Sequence, residues 1–317
     1  MRYFKVLALC ILFNFQLEAQ SRKPIVFRMQ EKRVTKQIHH YLRYDTLLKT
    51  SKAVMHLNYS NETGKPYLLL LHGMGVDAKT NWYKQIADLS RYYNLIMPDL
   101  IYFGQSSTNE ANYSVEFQAE QIHEAIDLLK ISSKLNVMGF SYGGLTAAMY
   151  NQLYDKDVLK LIIIDGPVKF YSTHMADSMA LLASVGSMSN IIIPQTTHEF
   201  KAMEKAVISK RMHISNRFKK RIIAHYFMPT LSTRQLQIYY LTAHEETYTN
   251  YTYHLDETPT LLIWGAHDGV VSPAVGEALH KAYPKTTQLL IFPKAKHDVH
   301  FRETKKLNKT VVNFLNK

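Results

Sequence analysis

Short runs, apolar almost throughout, punctuate the chain: Tyr67 to Leu71, Asn94 to Met97, Leu135 to Met138, Leu161 to Ile164, Thr260 to Trp264 and Gln288 to Phe292. Each is followed by glycine, proline or a polar residue. A run of this kind predicts a strand covered on both faces. The segments between them carry apolar positions at helical spacing. Asn81 to Tyr92 places Trp82, Ile86 and Leu89 on one stripe, Ser114 to Lys130 does so with Phe117, Ile122, Ile126 and Leu129, and Glu303 to Phe314 with Leu307, Val311 and Phe314. Ser114 stands where an N-cap belongs, and Ser272-Pro273 opens a further helix through Tyr283, serine as cap and proline at the first helical position. Strand, turn and helix in alternation predict a parallel sheet with helices on both faces. Functional groups should then collect at the carboxyl ends of the strands. Ahead of this pattern, alternation in His39 to Tyr44 and in Ala53 to Tyr59 predicts two leading antiparallel strands, with a turn at Asn61 to Pro66.

The alternation stops at Val168 and resumes only at about Thr258. The intervening stretch holds Met175, Met179, Met188, Met203, Met212 and Met228 beside many tyrosines, and Lys201 to Lys210 and Asn216 to Tyr226 read as helices. Soft, adaptable side chains in a helical insertion between two sheet strands suit a cap over a pocket; the plainer alternative is a helical subdomain that adds bulk. Its basic residues, Lys205, Lys210, Arg211, Arg217, Lys219, Lys220 and Arg221, read as a solvated face rather than a binding patch.

Composition changes little in this picture. The 317 residues are 46% hydrophobic and 20% charged, enough for one large domain with an insertion or for two domains. The net charge of +12 comes without any nucleic-acid module or dense basic helix, so it reads as solubility and adhesion to anionic envelope surfaces. The N-terminus does add something. Arg2 and Lys5 precede an apolar stretch from Val6 to Phe15, and polar residues and Ala19 follow. That is the layout of a secretory signal cleaved after Ala19, although Leu17 is not the small residue expected at the minus-three position. An uncleaved anchor is the alternative, but the stretch is short for a membrane span, and no other segment is a candidate for one. Cys10, the only cysteine, lies inside this segment, so the mature chain would have no disulfide, thiolate metal site or cysteine nucleophile. The expected division is a signal peptide at 1–19, a core at 20–167 and 259–317, and a helical cap at 168–258, in an exported protein, periplasmic or secreted. Five Asn-x-Ser/Thr sequences, at Asn58, Asn61, Asn112, Asn250 and Asn308, match glycosylation acceptors but are incidental beside a bacterial-looking signal.

The candidate chemistry sits at strand ends. Gly139-Phe140-Ser141-Tyr142-Gly143, with Gly144 after it, joins an apolar run to a helix. A serine between glycines at such a turn is held in a strained conformation with its hydroxyl clear of the sheet, and the helix N-terminus behind it favours developing negative charge. His72-Gly73-Met74-Gly75 ends an earlier run. It reads either as half of an oxyanion hole, with the Met74 N–H as one donor, or as a plain strand-to-helix turn. Asp99 ends another strand, and a loop-organising hydrogen bond is a better reading for it than catalysis. Ser141, Asp268 and His297 lie past three separate strand ends. A serine hydroxyl needs a base, a neutral imidazole suits that at neutral pH, and a carboxylate fixes its tautomer. The N–H groups of Met74 and Tyr142 would then serve the oxyanion.

Together, His72-Gly73-Met74-Gly75, the elbow from Gly139 to Gly143, Trp264-Gly265-Ala266-His267-Asp268 and the late His297 resemble the α/β-hydrolase superfamily, in its cap-bearing, esterase-like branch. The motifs fall in the family's order from about Pro66 to the C-terminus. The resemblance implies an α/β-hydrolase fold: a mostly parallel central sheet flanked by helices, with a helical cap inserted after the sixth strand. It also implies Ser141 as nucleophile, Asp268 as acid, His297 as base, and Met74 and Tyr142 as oxyanion donors. Ser141 stands where haloalkane dehalogenases and epoxide hydrolases have aspartate, and Lys296 where a glycine often precedes the histidine. Asp165, also at a strand end, is the alternative acid, against which the order Ser, Asp, His speaks. His300 is the alternative base, close to a helix start. His297, Asp298 and His300 lack a further ligand at fitting spacing for a metal site, and His39-His40 read as surface or strand residues. The expected protein is a cofactor-free, metal-free serine hydrolase. It would act on a small to medium ester through an acyl-enzyme, with no nucleic-acid partner and no membrane span in the mature chain. Amide, thioester or C–C bond hydrolysis or acyl transfer would use the same triad, and a binding protein of this fold is the alternative outside catalysis.

Overall fold

The computed structural model describes residues 25–210 and 213–317; the predicted signal segment and Cys10 lie outside them. The described chain opens with α1 (Ile25–Tyr41), β1 (Tyr44–Lys49), β2 (Val54–Tyr59), β3 (Tyr67–Leu71), α2 (Ala78–Leu89) and β4 (Asn94–Pro98). It continues with α3 (Val115–Leu128), β5 (Leu135–Phe140), α4 (Tyr142–Leu153) and β6 (Val158–Ile164). One expectation fails at the start. His39 to Tyr44 is not a strand: α1 runs through Tyr41, and β1 begins at Tyr44. The short alternation there sits inside a longer helical period. Val34, Ile38 and Leu42 recur at every fourth position and are buried against Trp82, Ile86 and Leu89 of α2, while His39 and His40 are exposed.

After β6 the described chain is helical until it returns to the sheet. It forms α5 (Thr173–Leu182), α6 (Met188–Ile192), α7 (Thr197–Val207), α8 (Asn216–Ile222), a single π-helical turn at Ile223–Phe227, α9 (Leu231–Ala243) and α10 (Glu245–Asn250). β7 (Thr260–Gly265), α11 (Pro273–Ala282), β8 (Thr287–Phe292), α12 (Val299–Arg302) and α13 (Thr304–Leu315) complete it. The helical stretch has a small core of its own in Ile193, Phe200, Ile223 and Phe227. Arg217, Lys220 and Arg221 are exposed, as expected of a solvated face, but Lys219 is buried and paired with Glu204.

The sheet has eight strands in the order β1-β2-β4-β3-β5-β6-β7-β8. β2 runs antiparallel to both of its neighbours, and every pairing from β4 to β8 is parallel. Both faces are covered, and single strands serve both. In β3, Leu69 and Leu71 enter the layer of α3, α4 and α11, whereas Leu68 and Leu70 enter that of α1, α2 and α13. Such double burial is why these strands appear in the sequence as unbroken apolar runs. β3 pairs with β5 on one side and β4 on the other, so the strand order reverses there. In open parallel sheets that reversal opens a crevice at the strands' carboxyl ends.

Candidate active site

The crevice is where Ser141 stands. It follows β5 directly and starts α4, with φ +54° and ψ −121°. Its own N–H donates to the Ile164 carbonyl at 2.8 Å, and its carbonyl accepts from the N–H of Gly144 at 2.8 Å and of Leu145 at 3.2 Å. The glycines around it are demanded by close approach. A Cβ on Gly139 would lie 1.9 Å from the Gly143 carbonyl oxygen, and one on Gly143 would lie 2.2 Å from that of Leu71. The elbow is thus wedged against the end of β3. Tyr142 is the first residue of α4, so its N–H is among those without an intrahelical acceptor. Gly73, two residues beyond Leu71, also lies against the elbow: a Cβ there would be 3.2 Å from Ser141 Cβ. Gly73, Met74, Ser141 and Tyr142 line one cavity.

Past β8, His297 turns its Nε2 to Ser141 Oγ at 2.8 Å and its Nδ1 to Asp268 Oδ2 at 2.7 Å. Asp268, past β7, also accepts the N–H groups of Val270 and Val271 on Oδ1, at 2.8 and 3.0 Å. A carboxylate on Nδ1 places the imidazole proton there and leaves Nε2 to accept the serine proton. All three groups come from different strand ends, and Asp268 and His297 are each 5% exposed.

The alternatives fall elsewhere. Asp165, wholly buried, binds the Gly265 N–H through Oδ1 at 2.9 Å, and it is Asp268 that holds the imidazole. His300 lies buried beside Phe140, ring centroids 4.1 Å apart, and lines the cavity without bonding Ser141; burial pushes its imidazole well below the ordinary range, so it stays neutral. Asp298 accepts the Ser209 N–H and hydroxyl, so it ties the helical stretch to the loop after β8 rather than joining a ligand set with His297 and His300. Among the described residues, Asp155, His254 and Glu257 also converge within 4.8 Å, on a half-exposed surface away from the cavity lining. Lys296 donates its backbone N–H to Ser209 Oγ at 2.9 Å, and a Cβ on Gly265 would meet the Lys296 carbonyl at 2.1 Å, so this loop is held from both sides.

Further residues shape the site; Asp99 does so as a loop organiser, as its strand-end position predicts, while the contacts of His72 and Arg234 had no sequence signal. His72 is buried, accepts the Leu100 N–H on Nε2 at 2.9 Å and so donates from Nδ1 to the Gly73 carbonyl, also at 2.9 Å. Burial lowers its basicity, in keeping with this neutral form. Asp99 organises the neighbouring loops, accepting from Ala78 and Gln105 N–H and from His56. Arg234, on α9, is buried between the rings of Phe103 and Phe227 and donates to the Gly75 carbonyl at 3.0 Å; burial brings its guanidinium down to about 10. The cavity measures about 720 Å³. Its walls are mainly apolar, with Met188, Ile191 and Ile192 from α6, Ile238 and Leu241 from α9, and Val271 past β7. Such a size is usual for small-molecule sites.

Comparison with known proteins agrees with this fold. A family profile described as the alpha/beta hydrolase fold matches residues 66–304. Lipase 3 of Moraxella sp. (strain TA144) is 28% identical over 251 residues, covering 77% of this chain and 75% of its own. Lipase 1 of Psychrobacter immobilis is 27% identical over the same extent. Among solved structures, a bacterial membrane phospholipase A superposes with a TM-score of 0.74 at 20% identity, over 100% of this chain and 98% of its own. No helix among the described residues is long and apolar enough to cross a membrane.

Proposed function

The chain belongs to the α/β-hydrolase fold family, and from that premise we propose that it is a serine hydrolase cleaving carboxylic esters through an acyl-enzyme. The observation that carries this reading is the unbroken relay from Ser141 Oγ through His297 to Asp268, with 2.8 and 2.7 Å at its two links. In the first half-reaction His297 Nε2 takes the hydroxyl proton as Oγ attacks the acyl carbon. The carbonyl electrons move onto oxygen, where the N–H groups of Met74 and Tyr142 receive them. Collapse breaks the bond to the alcohol, and the imidazolium returns its proton to the leaving oxygen. Water then repeats the sequence on the acyl-serine, delivering a carboxylic acid and free enzyme. Asp268 holds the imidazole in the required tautomer throughout.

The helices of 168–258 act as a cap in this reading, since α5, α6 and α9 all contribute to the cavity wall. The apolar lining suits an acyl chain, and the similarity to two bacterial lipases supports an ester with an apolar part. Residues 1–19 serve as an export signal, so the enzyme meets its substrate outside the cytoplasm. A fluorophosphonate probe should label the protein, and Ser141→Ala should abolish labelling and lower ester turnover on the order of 10⁴-fold or more. Folded wild-type protein that neither labels nor turns over any member of an acyl-ester panel would exclude the enzyme reading. Turnover of amides or thioesters in preference to esters would reassign the bond.

A further inference from the structure

A second carboxyl group stands behind the Asp268 carboxylate. Asp165 follows β6 with φ +48°, in the left-handed region, and is wholly buried. Its N–H donates to the Ile263 carbonyl at 2.9 Å and its Oδ1 accepts the Gly265 N–H. Its Oδ2 is buried without a donor directed at it. A carboxylate oxygen of Asp165, one of Asp268 and a ring nitrogen of His297 all lie within 4.8 Å of one another. A backbone conformation of this kind is strained for a non-glycine residue and persists where surroundings over-determine it.

Two carboxylates this close and out of water do not both stay ionised. The donors decide which keeps the charge. Asp268 receives three, from Val270, Val271 and the imidazole, whereas Asp165 receives one, from Gly265. We propose that Asp165 is a positioning residue: as a neutral acid it donates its Oδ2 proton to Asp268, so that the pair presents one negative charge to His297. The proposal rests on the serine-hydrolase reading for its consequence, though not for its chemistry. Burial first, and the Asp268 charge second, push the Asp165 carboxyl well above the ordinary carboxylate range. The other titratable groups facing the pair are His297 and Asp298 after β8 and the Tyr171 phenol after β6, which burial and Asp268 push upward. The proton holds the Asp268 carboxylate with Oδ2 towards the imidazole. It also offsets part of the carboxylate charge, so that the imidazolium is not over-stabilised and the base form is available at lower pH.

Infrared spectroscopy of the full chain at neutral pH tests the proton directly. The wild type should show the carbonyl band of a protonated, buried carboxylic acid, and Asp165→Asn should lose it. Asparagine keeps both hydrogen bonds, accepting from Gly265 and donating to Asp268, so kcat/KM should stay within about threefold with the acid limb of its pH profile unmoved. Asp165→Val keeps the shape but not the donor; kcat should fall roughly tenfold and the acid limb move to higher pH, because the bare Asp268 charge favours the imidazolium. Absence of the band overturns the proposal. So does an Asp165→Asn loss as deep as that of Asp268→Asn, which would make an ionised Asp165 the required carboxylate. An unmoved acid limb in folded Asp165→Val would reduce the residue to a structural role. Should valine prevent folding, the band and the asparagine variant decide alone. A wild type inactive on every ester would sink the hydrolase reading while the infrared band still judged the proton.

Discussion

The backbone of Ser141 is held by its neighbours rather than by its own preference. With φ +54° it occupies a region that costs a non-glycine residue free energy, and the Ile164 carbonyl, the wedge of Gly143 against β3 and the start of α4 offset that cost. Gly143→Ala should therefore destabilise the fold by about 2 kcal/mol or more, since the backbone at Leu71 has nowhere to move. Urea unfolding measures the loss, and labelling of Ser141 by a fluorophosphonate should slow in the population that remains folded. Ser141, Asp268 and His297 were legible in the sequence because each lies in the turn past an apolar run, and the glycines because so tight a turn demands them. Arg234 and the lock formed by His72 were not. Their acceptors and donors are backbone groups, at Gly75, Gly73 and Leu100, and every residue type offers those, so no spacing of side chains marks the contact.

At the scale of elements, the parallel strands were readable from double burial and the long helices from their stripes. The N-terminal helix was misread because a six-residue window can satisfy a strand's alternation by coincidence, and only the recurrence of Val34, Ile38 and Leu42 exposes the longer period. The edge it leads into is tied by charge. His56 of β2 sits between Asp99 after β4, at 2.7 Å, and Asp45 of β1, at 2.8 Å. Burial works against the imidazolium, but the hydrogen bonds and charges of both aspartates outweigh it and raise His56 above its ordinary 6.5. Burial likewise opposes the Asp99 charge, and His56 and the backbone N–H groups of Ala78 and Gln105 hold it below its ordinary 3.8. The two signs define a window. The His56 contribution is complete below 6.5 and is lost as pH rises through the raised folded value; the Asp99 contribution is present above 3.8 and is lost as pH falls through the depressed one. The stability difference between wild type and His56→Gln should accordingly be largest at mildly acid pH and shrink towards alkaline pH. Urea titrations across that range would read it, and a difference independent of pH would show that the imidazole is not charged there.

For the whole molecule, the cavity sets what can react. Most of its apolar wall comes from the stretch between β6 and β7, while Ser141 and His297 stand past sheet strands, so under the proposed ester hydrolysis chain-length preference and chemistry should be separable. Met188, 5% exposed and on the cavity wall, tests this. Met188→Trp should lower kcat/KM for dodecanoyl esters roughly tenfold or more relative to butanoyl esters, with turnover of the short ester preserved. Equal losses for both chain lengths would mean that the acyl group lies elsewhere.

The order of apolar runs, the elbow and the residues past the strand ends were determined by the sequence alone, since burial on both faces of a sheet and the tightness of the turn restrict which residue types can stand there. Tertiary structure alone decided that the Asp165 carboxylate lies within 4.8 Å of both Asp268 and the imidazole, and that α9 reaches the loop after β3. Each of those outcomes depends on the separation of groups far apart in the chain, and hydrophobic patterning, being local, specifies which face a residue takes but not which distant partner it meets.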